Sequence, residues 1–318
     1  MTTQSDRGNQ PPEPPEERSA LDNVLGGVEA QYLEWEHHVR EANARIDRAA
    51  GRPLWQAVAV GLGLGGVFLV ALLVSPLLFG LFAGALVVLA VFELVGAMRL
   101  SGTRLSRTVL SLIALAMLAG AYFYGGEGLF ATLFAGIVLV ALGRVALMVR
   151  NSARGAVARD IQRGWFVLMY LPFMGSAAVA LRLTDGGAWW IFAIIIIVVS
   201  VDTSAYAVGR TVGRHKLAPT ISPGKTWEGL AGAAVAGAIA GIATGLWMIG
   251  VGPWWGLMIG LIIALTATLG DLLESFIKRE LGVKDMSSVL PGHGGILDRL
   301  DSALPSLAVG YLLYQFLG

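Results

Sequence analysis

Between Gly270 and Asp301 the chain reads GDLLESFIKRELGVKDMSSVLPGHGGILDRLD. No other stretch sets so much ionisable chemistry against hydrophobic walls. The stretch begins inside an apolar segment that includes Trp254 to Leu269, and another, from Ala303 to Leu317, follows it. Asp271 falls before the first of these has ended, where a carboxylate is costly unless a cation or metal meets it. Pro291-Gly292-His293-Gly294-Gly295 is a glycine-rich turn, which lets backbone N–H groups approach an anion closely. His293, between two glycines and five residues before Asp298, is expected at a phosphate.

A second polar cluster runs from Val201 to Glu228. Asp202 lies about two helical turns before the inner end of one apolar segment, and Asp271 about two turns before the inner end of another. At 5.4 Å per turn both carboxylates lie ~10 Å inside the same membrane boundary. Asp298, Asp301 and Ser302 share a helical face by their spacing, as do Asp271, Glu274, Ser275 and Lys278. Carboxylates that converge in a low-dielectric place repel unless a cation joins them. Two or three of them with open positions suit Mg²⁺, which takes few protein groups and fills its shell with phosphate oxygens and water. Any one of these aspartates taken alone is as readily the structural partner of an Arg or Lys.

The basic residues suit phosphates. Ser222-Pro223-Gly224-Lys225-Thr226 is expected as a short turn whose lysine and hydroxyls grip a triphosphate. It is not a Walker loop, because Gly-x-x-x-x-Gly-Lys is absent. Lys278, Arg279 and Arg299 are placed to meet a lipid phosphate at headgroup level.

The elements that must hold these residues are membrane helices. The chain has 318 residues, 55% hydrophobic and 14% charged, against about 25% charged in a soluble domain. Its mean hydropathy is +0.68. Apolar runs mark nine candidate spans, roughly 55–74, 77–97, 106–124, 129–148, 165–183, 188–208, 230–249, 254–273 and 303–317. Twenty residues of helix cross about 30 Å of hydrocarbon. The expected fold is therefore an all-α, polytopic integral membrane bundle of about nine transmembrane helices. Placing the N-terminus in the cytoplasm puts Arg99, Arg104, Arg107, Arg150, Arg154, Arg159, Arg163, Arg210, Arg214, Lys216, Lys225, Lys278, Arg279, Lys284 and Arg299 inside. Only Arg182 lies near the other side. Both polar clusters then face the cytoplasm, as expected of a multi-pass protein of the cell membrane. With no cysteine there is neither a disulfide nor a thiolate metal site.

Four regions are expected: a disordered tail over 1–18, a cytoplasmic amphipathic helix over 19–52, five N-terminal spans over 53–185 and a catalytic membrane region over 186–318. The tail is rich in Pro, Glu, Gln and Ser and cannot support a core. The amphipathic helix follows from Leu21, Leu25, Val28, Tyr32, Trp35, Val39, Ala42 and Ile46. Its apolar face packs on its own protein, on membrane lipid or on a second copy in a homodimer. Pairs at four-residue spacing, Gly61/Gly65, Gly80/Gly84, Gly237/Gly241/Gly245 and Gly256/Gly260, are expected to serve close helix packing. Glu93, near the inner end of the second span, reaches headgroup water or pairs with an arginine of the next loop. No nucleic-acid partner is expected.

The two clusters closely resemble the integral-membrane phosphatidate cytidylyltransferases, or CDP-diacylglycerol synthases. That family's signature is Ser-x-x-Lys-Arg, then Lys-Asp, then His-Gly-Gly-x-x-Asp-Arg-x-Asp. Here it falls on Ser275, Lys278, Arg279, Lys284, Asp285, His293, Gly294, Gly295, Asp298, Arg299 and Asp301. Asp-Thr-x-Ala-Tyr matches at Asp202–Tyr206 and Ser-Pro-x-Lys-Thr at Ser222–Thr226. The resemblance covers Ala188 to the C-terminus; the first 185 residues are similar in hydropathy alone. It implies a reaction in which CTP and phosphatidate give CDP-diacylglycerol and pyrophosphate. It implies Asp271 and Asp298 as Mg²⁺ ligands, with Asp202 and Asp301 supporting them or holding a second cation. Lys225, Ser222 and Thr226 would hold CTP phosphates, and Lys278, Arg279, His293 and Arg299 the phosphatidate or pyrophosphate. Tyr206, Ser275, Gly294 and Gly295 complete the substrate-binding set. The competing class is a transporter or ion pathway, which also uses intramembrane acids but spreads them through the bilayer depth. In this sequence they gather near one end.

Overall fold

The computed structural model describes residues 54–151, 154–283, 286 and 295–317. The expected tail and amphipathic helix lie outside the described residues. The chain divides into Met1–Val58 and Ala59–Gly318. Of the first unit only the start of one helix is described; the site and the helices around it belong to the second.

Helices α1 (Leu54–Val74), α2 (Pro76–Leu100), α3 (Arg107–Asn151), α4 (Arg154–Tyr170), α5 (Pro172–Arg182) and α6 (Gly187–Thr211) come first. A hairpin of β1 (Lys216–Ala218) and β2 (Ser222–Thr226) leads into α7 (Trp227–Thr244), which ends in a wide π turn, Gly245–Ile249. After it come α8 (Gly252–Glu280), the short α9 (Leu297–Leu300) and α10 (Ala303–Leu317). Among the described residues six helical stretches are long and apolar enough to cross a membrane: Pro76–Leu100, Arg107–Ala146, Ala156–Arg182, Gly187–Thr211, Trp227–Ile249 and Gly252–Glu280. This is an all-α membrane architecture with one small hairpin.

Local chemistry sets the boundaries. Ser75 caps α2 by accepting from Leu77 N–H at 3.2 Å, and Pro76 occupies the first helical position, where its missing N–H costs nothing. Within α3, Gly125 leaves helical geometry at φ 58°, ψ −137°. A Cβ on Gly120 would touch Thr132, and 12 residues of straight helix would hold those two positions roughly 18 Å apart. The two parts of α3 therefore fold against each other at Gly125. Pro172 separates α4 from α5, because its ring excludes the carbonyl one turn earlier. Arg182 donates to Leu72 O at 2.7 Å, so its charge meets the C-terminal end of α1.

The core joins both halves of the sequence: Leu94, Met117, Leu168, Leu171, Ile191, Ile194, Ile197 and Ile259 are all buried. Leu81, Leu112, Phe134, Ile239 and Trp254 are exposed, as expected where the surrounding solvent is lipid. Helix α7 packs between α6 and α8. Gly237 and Gly241 meet the backbone of Gly256 and Gly260 so closely that a Cβ at any of the four would collide with it. The glycine spacing serves packing here, as expected. It does not at Gly65, where a Cβ would meet nothing within 4 Å.

Ser222–Thr226, expected as a turn, is instead a strand, with Lys216 opposite Thr226 and Ala218 opposite Ser222. Thr226 is the N-cap of α7 and accepts from Gly229 N–H at 3.1 Å. Its hydroxyl is buried in this cap. Thr226→Ala is expected to cost about 1 kcal/mol of stability and Thr226→Ser much less, checked by melting temperature in detergent.

Candidate active site

Four elements meet at the site: the C-terminal parts of α6 and α8, the hairpin strand β2 and the segment from Gly295 through α9 to Ser302. Because Lys225 lies on β2, directly before the start of α7, it reaches across to α8. Its ammonium lies 2.8 Å from Asp271 Oδ2 and donates to Thr268 O at 3.3 Å. Ser275, one turn along α8, donates to Asp271 Oδ1 at 3.4 Å. Another turn on, Lys278 binds Glu274 at 2.5 Å and Asp298 at 3.2 Å. Thus α8 presents Asp271, Glu274, Ser275 and Lys278 on one face, as their spacing predicts, and Lys278 ties that face to α9.

Asp298 also accepts from Gly295 N–H at 2.8 Å, a first-turn carboxylate reaching back over its own helix start. Burial opposes its charge, but hydrogen bonding from Glu274, Gly295 N–H and Lys278, with the charge of Lys278, holds the Asp298 carboxyl below its ordinary value. Asp301 comes directly after α9 and accepts from Ser302 N–H at 2.8 Å. Burial pushes its carboxyl up to about 7; the charges of Asp271 and Asp202 add to this, opposed by the Ser302 hydrogen bond and Lys278. Asp271 and Asp202 thus lie close enough to Asp301 for their charges to act on it. Asp202 itself is exposed on α6.

The other expected residues take several positions around this centre. Arg279 donates to Ile221 O at 3.3 Å and pins the hairpin to α8. Tyr206 is exposed and carries the Arg210 guanidinium 5.9 Å from its ring centroid. Ser222 is half-buried in β2, and Arg299 is exposed on α9. His293, Gly294, Lys284 and Asp285 lie outside the described residues.

Glu93 has a role that neither expectation named. It is buried, and its two carboxylate oxygens accept from Ile296 N–H and Leu297 N–H, each at 3.0 Å. With Asp298 on Gly295, two carboxylates satisfy three successive backbone donors at the start of α9, groups a helix start otherwise leaves unpaired. Gly295 is confined between them: a Cβ there would lie 2.7 Å from Glu93 Oε2 and 3.2 Å from Asp298 Oδ2. The N-terminal half thus aims the segment that carries Asp298. The only trace of this in the sequence is an acid within an apolar helix, 203 residues from its partner Ile296.

The donors fit a hard divalent cation in type. All are carboxylate oxygens. No group of three acidic or histidine side chains among the described residues is near enough to hold an ion alone. Mg²⁺ suits such a site because it takes one or two carboxylates and completes its shell with phosphate oxygens and water.

The cytidylyltransferase family model matches residues 55–317. A phosphatidate cytidylyltransferase from Mycobacterium leprae (strain TN) is 36% identical over 290 residues, covering 88% of this chain and 93% of its own. One from Mycobacterium tuberculosis (strain ATCC 25618 / H37Rv) is 34% identical over 276 residues, covering 84% of each chain. A phosphatidate cytidylyltransferase from Brucella abortus biovar 1 (strain 9-941) is 38% identical over 154 residues, or 47% of this chain and 57% of its own. The match extends well upstream of the motif region, into the helices that carry Glu93, and the chain belongs to the cytidylyltransferase family.

Proposed function

We propose that the protein transfers the cytidylyl group of CTP to phosphatidate, giving CDP-diacylglycerol and pyrophosphate for phospholipid synthesis. The observation that carries this reading is the pairing of Lys225 with Asp271 and of Lys278 with Asp298 around the C-terminal part of α8. It is a site rich in oxygen ligands and phosphate-binding cations, with Lys278 near the end of an apolar helix where a lipid phosphate can meet it. The reaction needs such groups. A phosphate monoester oxygen of phosphatidate, largely ionised at pH 7 because its second pKa is about 6, attacks the α-phosphorus of CTP. The bond from that phosphorus to the bridging oxygen breaks, and pyrophosphate leaves. The nucleophile is already anionic, so no general base is required, and catalysis is positioning and charge neutralisation.

Lys225, with Ser222 beside it, takes the CTP phosphates, and Thr226 acts through its cap by fixing where β2 meets α7. Lys278, Arg279, His293 and Arg299 take the lipid phosphate or the departing pyrophosphate, with Tyr206, Ser275, Gly294 and Gly295 shaping the walls. Asp271 and Asp298 would hold Mg²⁺, with Asp202 and Asp301 in support or holding a second cation, and the ion would supply Lewis-acid charge neutralisation at the phosphates. Purified protein given CTP and phosphatidate in detergent should form CDP-diacylglycerol, and EDTA should stop it. No product with both substrates and Mg²⁺ present would contradict the reading.

The same reading takes nine spans with the N-terminus in the cytoplasm of a cell-membrane protein and the site on the cytoplasmic side. Helices occupy all nine expected segments when α3 is counted as two at Gly125 and α4–α5 as one. The Lys and Arg distribution supports the orientation. Gly224, at the exposed hairpin, has open space around its Cβ position. A cysteine there, in a chain with no other, should react with an impermeant maleimide in inside-out vesicles and not in intact cells; the reverse would overturn the orientation. Pairing with a second copy through the 19–52 segment belongs to the same reading.

A further inference from the structure

A groove of about 400 Å³ opens beside the site, within the range of roughly 300–1,000 Å³ usual for ligand pockets. Leu64 and Phe68 of α1, Phe82 and Leu86 of α2, Ile195 of α6 and Leu304 of α10 are among its walls. Its residues are apolar with one exception, Arg299. Ile296 also lines it, and that residue's N–H is the one Glu93 holds. The charged end of the groove therefore belongs to the segment that carries Asp298, and the apolar remainder runs along membrane helices. A polar metabolite would find no hydrogen-bond partner along such walls. A molecule with an anionic head and a hydrocarbon tail matches both parts.

Building on the proposed function, we propose that this groove holds an acyl chain of phosphatidate, with Arg299 set against the phosphate. Nothing in the motif residues addresses the hydrocarbon part of the substrate. The groove supplies that recognition, and it orients the lipid so that its phosphate meets the level of Lys278 and Asp298. Chain length then matters to binding, because each methylene seated against a fitting wall adds close packing contacts.

Gly65 tests this directly. It lines the groove, and a Cβ there would meet nothing within 4 Å, so a side chain can be added without a clash at its base. Gly63, on the same helix, is equally open and is not among the lining residues. In mixed micelles, Gly65→Phe should raise KM for dioleoyl-phosphatidate roughly tenfold, the effect of losing about ten close carbon–carbon contacts. KM for dihexanoyl-phosphatidate and for CTP should stay unchanged, and Gly63→Phe should leave all three unchanged. A photoreactive diazirine on the acyl chain should label the Leu64–Phe68 segment in the parent and lose that labelling in Gly65→Phe. This second readout does not need turnover, so it separates failure of the groove from failure of the proposed reaction. Unchanged KM for the long-chain lipid would overturn the proposal, as would an equal rise for the short-chain one. So would a shift of Gly65→Phe from dimer to monomer with lipid KM unaltered, which would make the groove an interface between copies.

Discussion

Asp271→Asn and Asp298→Asn are each expected to lower turnover by a hundredfold to a thousandfold or more, the order lost when one preorganised electrostatic contact to a reacting centre is removed. Asn keeps the size and one acceptor oxygen but removes the charge that a cation needs. The two variants should part company in stability. Asp271 and Lys225 have side chains 36% and 21% exposed, so water screens their pair and losing it costs about 0–1 kcal/mol. Asp298 is 12% exposed and joins Lys278 to the Gly295 backbone. Asn can still accept from one donor there, and the loss of a charged hydrogen-bond partner costs about 1–3 kcal/mol. Melting temperature in detergent and product formed across a Mg²⁺ titration check both halves. Near-normal turnover in either folded variant would remove that residue from the ion site and leave it a structural partner of its lysine.

Glu93→Ala is expected to be nearly as damaging by a different route. It strips the Ile296 and Leu297 N–H groups of their shared acceptor in a buried place, which costs about 1–3 kcal/mol for each unsatisfied donor. The start of α9 then shifts, and Asp298 with it. A displacement of about 1 Å at a catalytic group is enough to cost roughly a hundredfold in rate. Glu93→Gln retains one acceptor oxygen and should recover much of the stability and part of the rate. The expected signature is a fall in kcat with KM for CTP little changed, since Lys225 and the hairpin are untouched. A loss of stability with kcat intact in the surviving protein would make Glu93 a fold residue alone.

These two sets of residues also mark what the sequence could and could not disclose. Asp271, Lys278 and Asp298 stand out because charge inside an apolar run is expensive, and their helical spacing places Asp271, Glu274, Ser275 and Lys278 on one face without any structure. The helical segments are equally legible, since hydrocarbon imposes length and composition on every span. Partnerships across long separations are not. Glu93 reaches a segment 203 residues away, and no local pattern records that contact. Lys225 has the look of a phosphate ligand; that it rests on Asp271 depends on how β2 enters α7. The hairpin itself is hidden because Ser222–Thr226 contains Pro223 and Gly224, residues that signal a turn, and its pairing with Lys216–Ala218 overrides that local preference. The spacing of Gly61/Gly65 matches that of Gly237/Gly241, yet Gly237 and Gly241 meet a helix and Gly65 faces an open groove.

The most direct measurement tracks the phosphorus atoms of CTP. Purified protein would be given phosphatidate, Mg²⁺ and CTP labelled at either the α- or the γ-phosphate, and the organic and aqueous phases would be counted. Label at the α-phosphate is expected to enter the lipid phase as CDP-diacylglycerol, in proportion to the phosphatidate supplied. Label at the γ-phosphate is expected to stay in water as pyrophosphate, and Asp271→Asn to lower both the transfer and the pyrophosphate release by about a hundredfold or more. Label from the γ-phosphate in the lipid, or release of CTP phosphates at the same rate without phosphatidate, would contradict cytidylyl transfer.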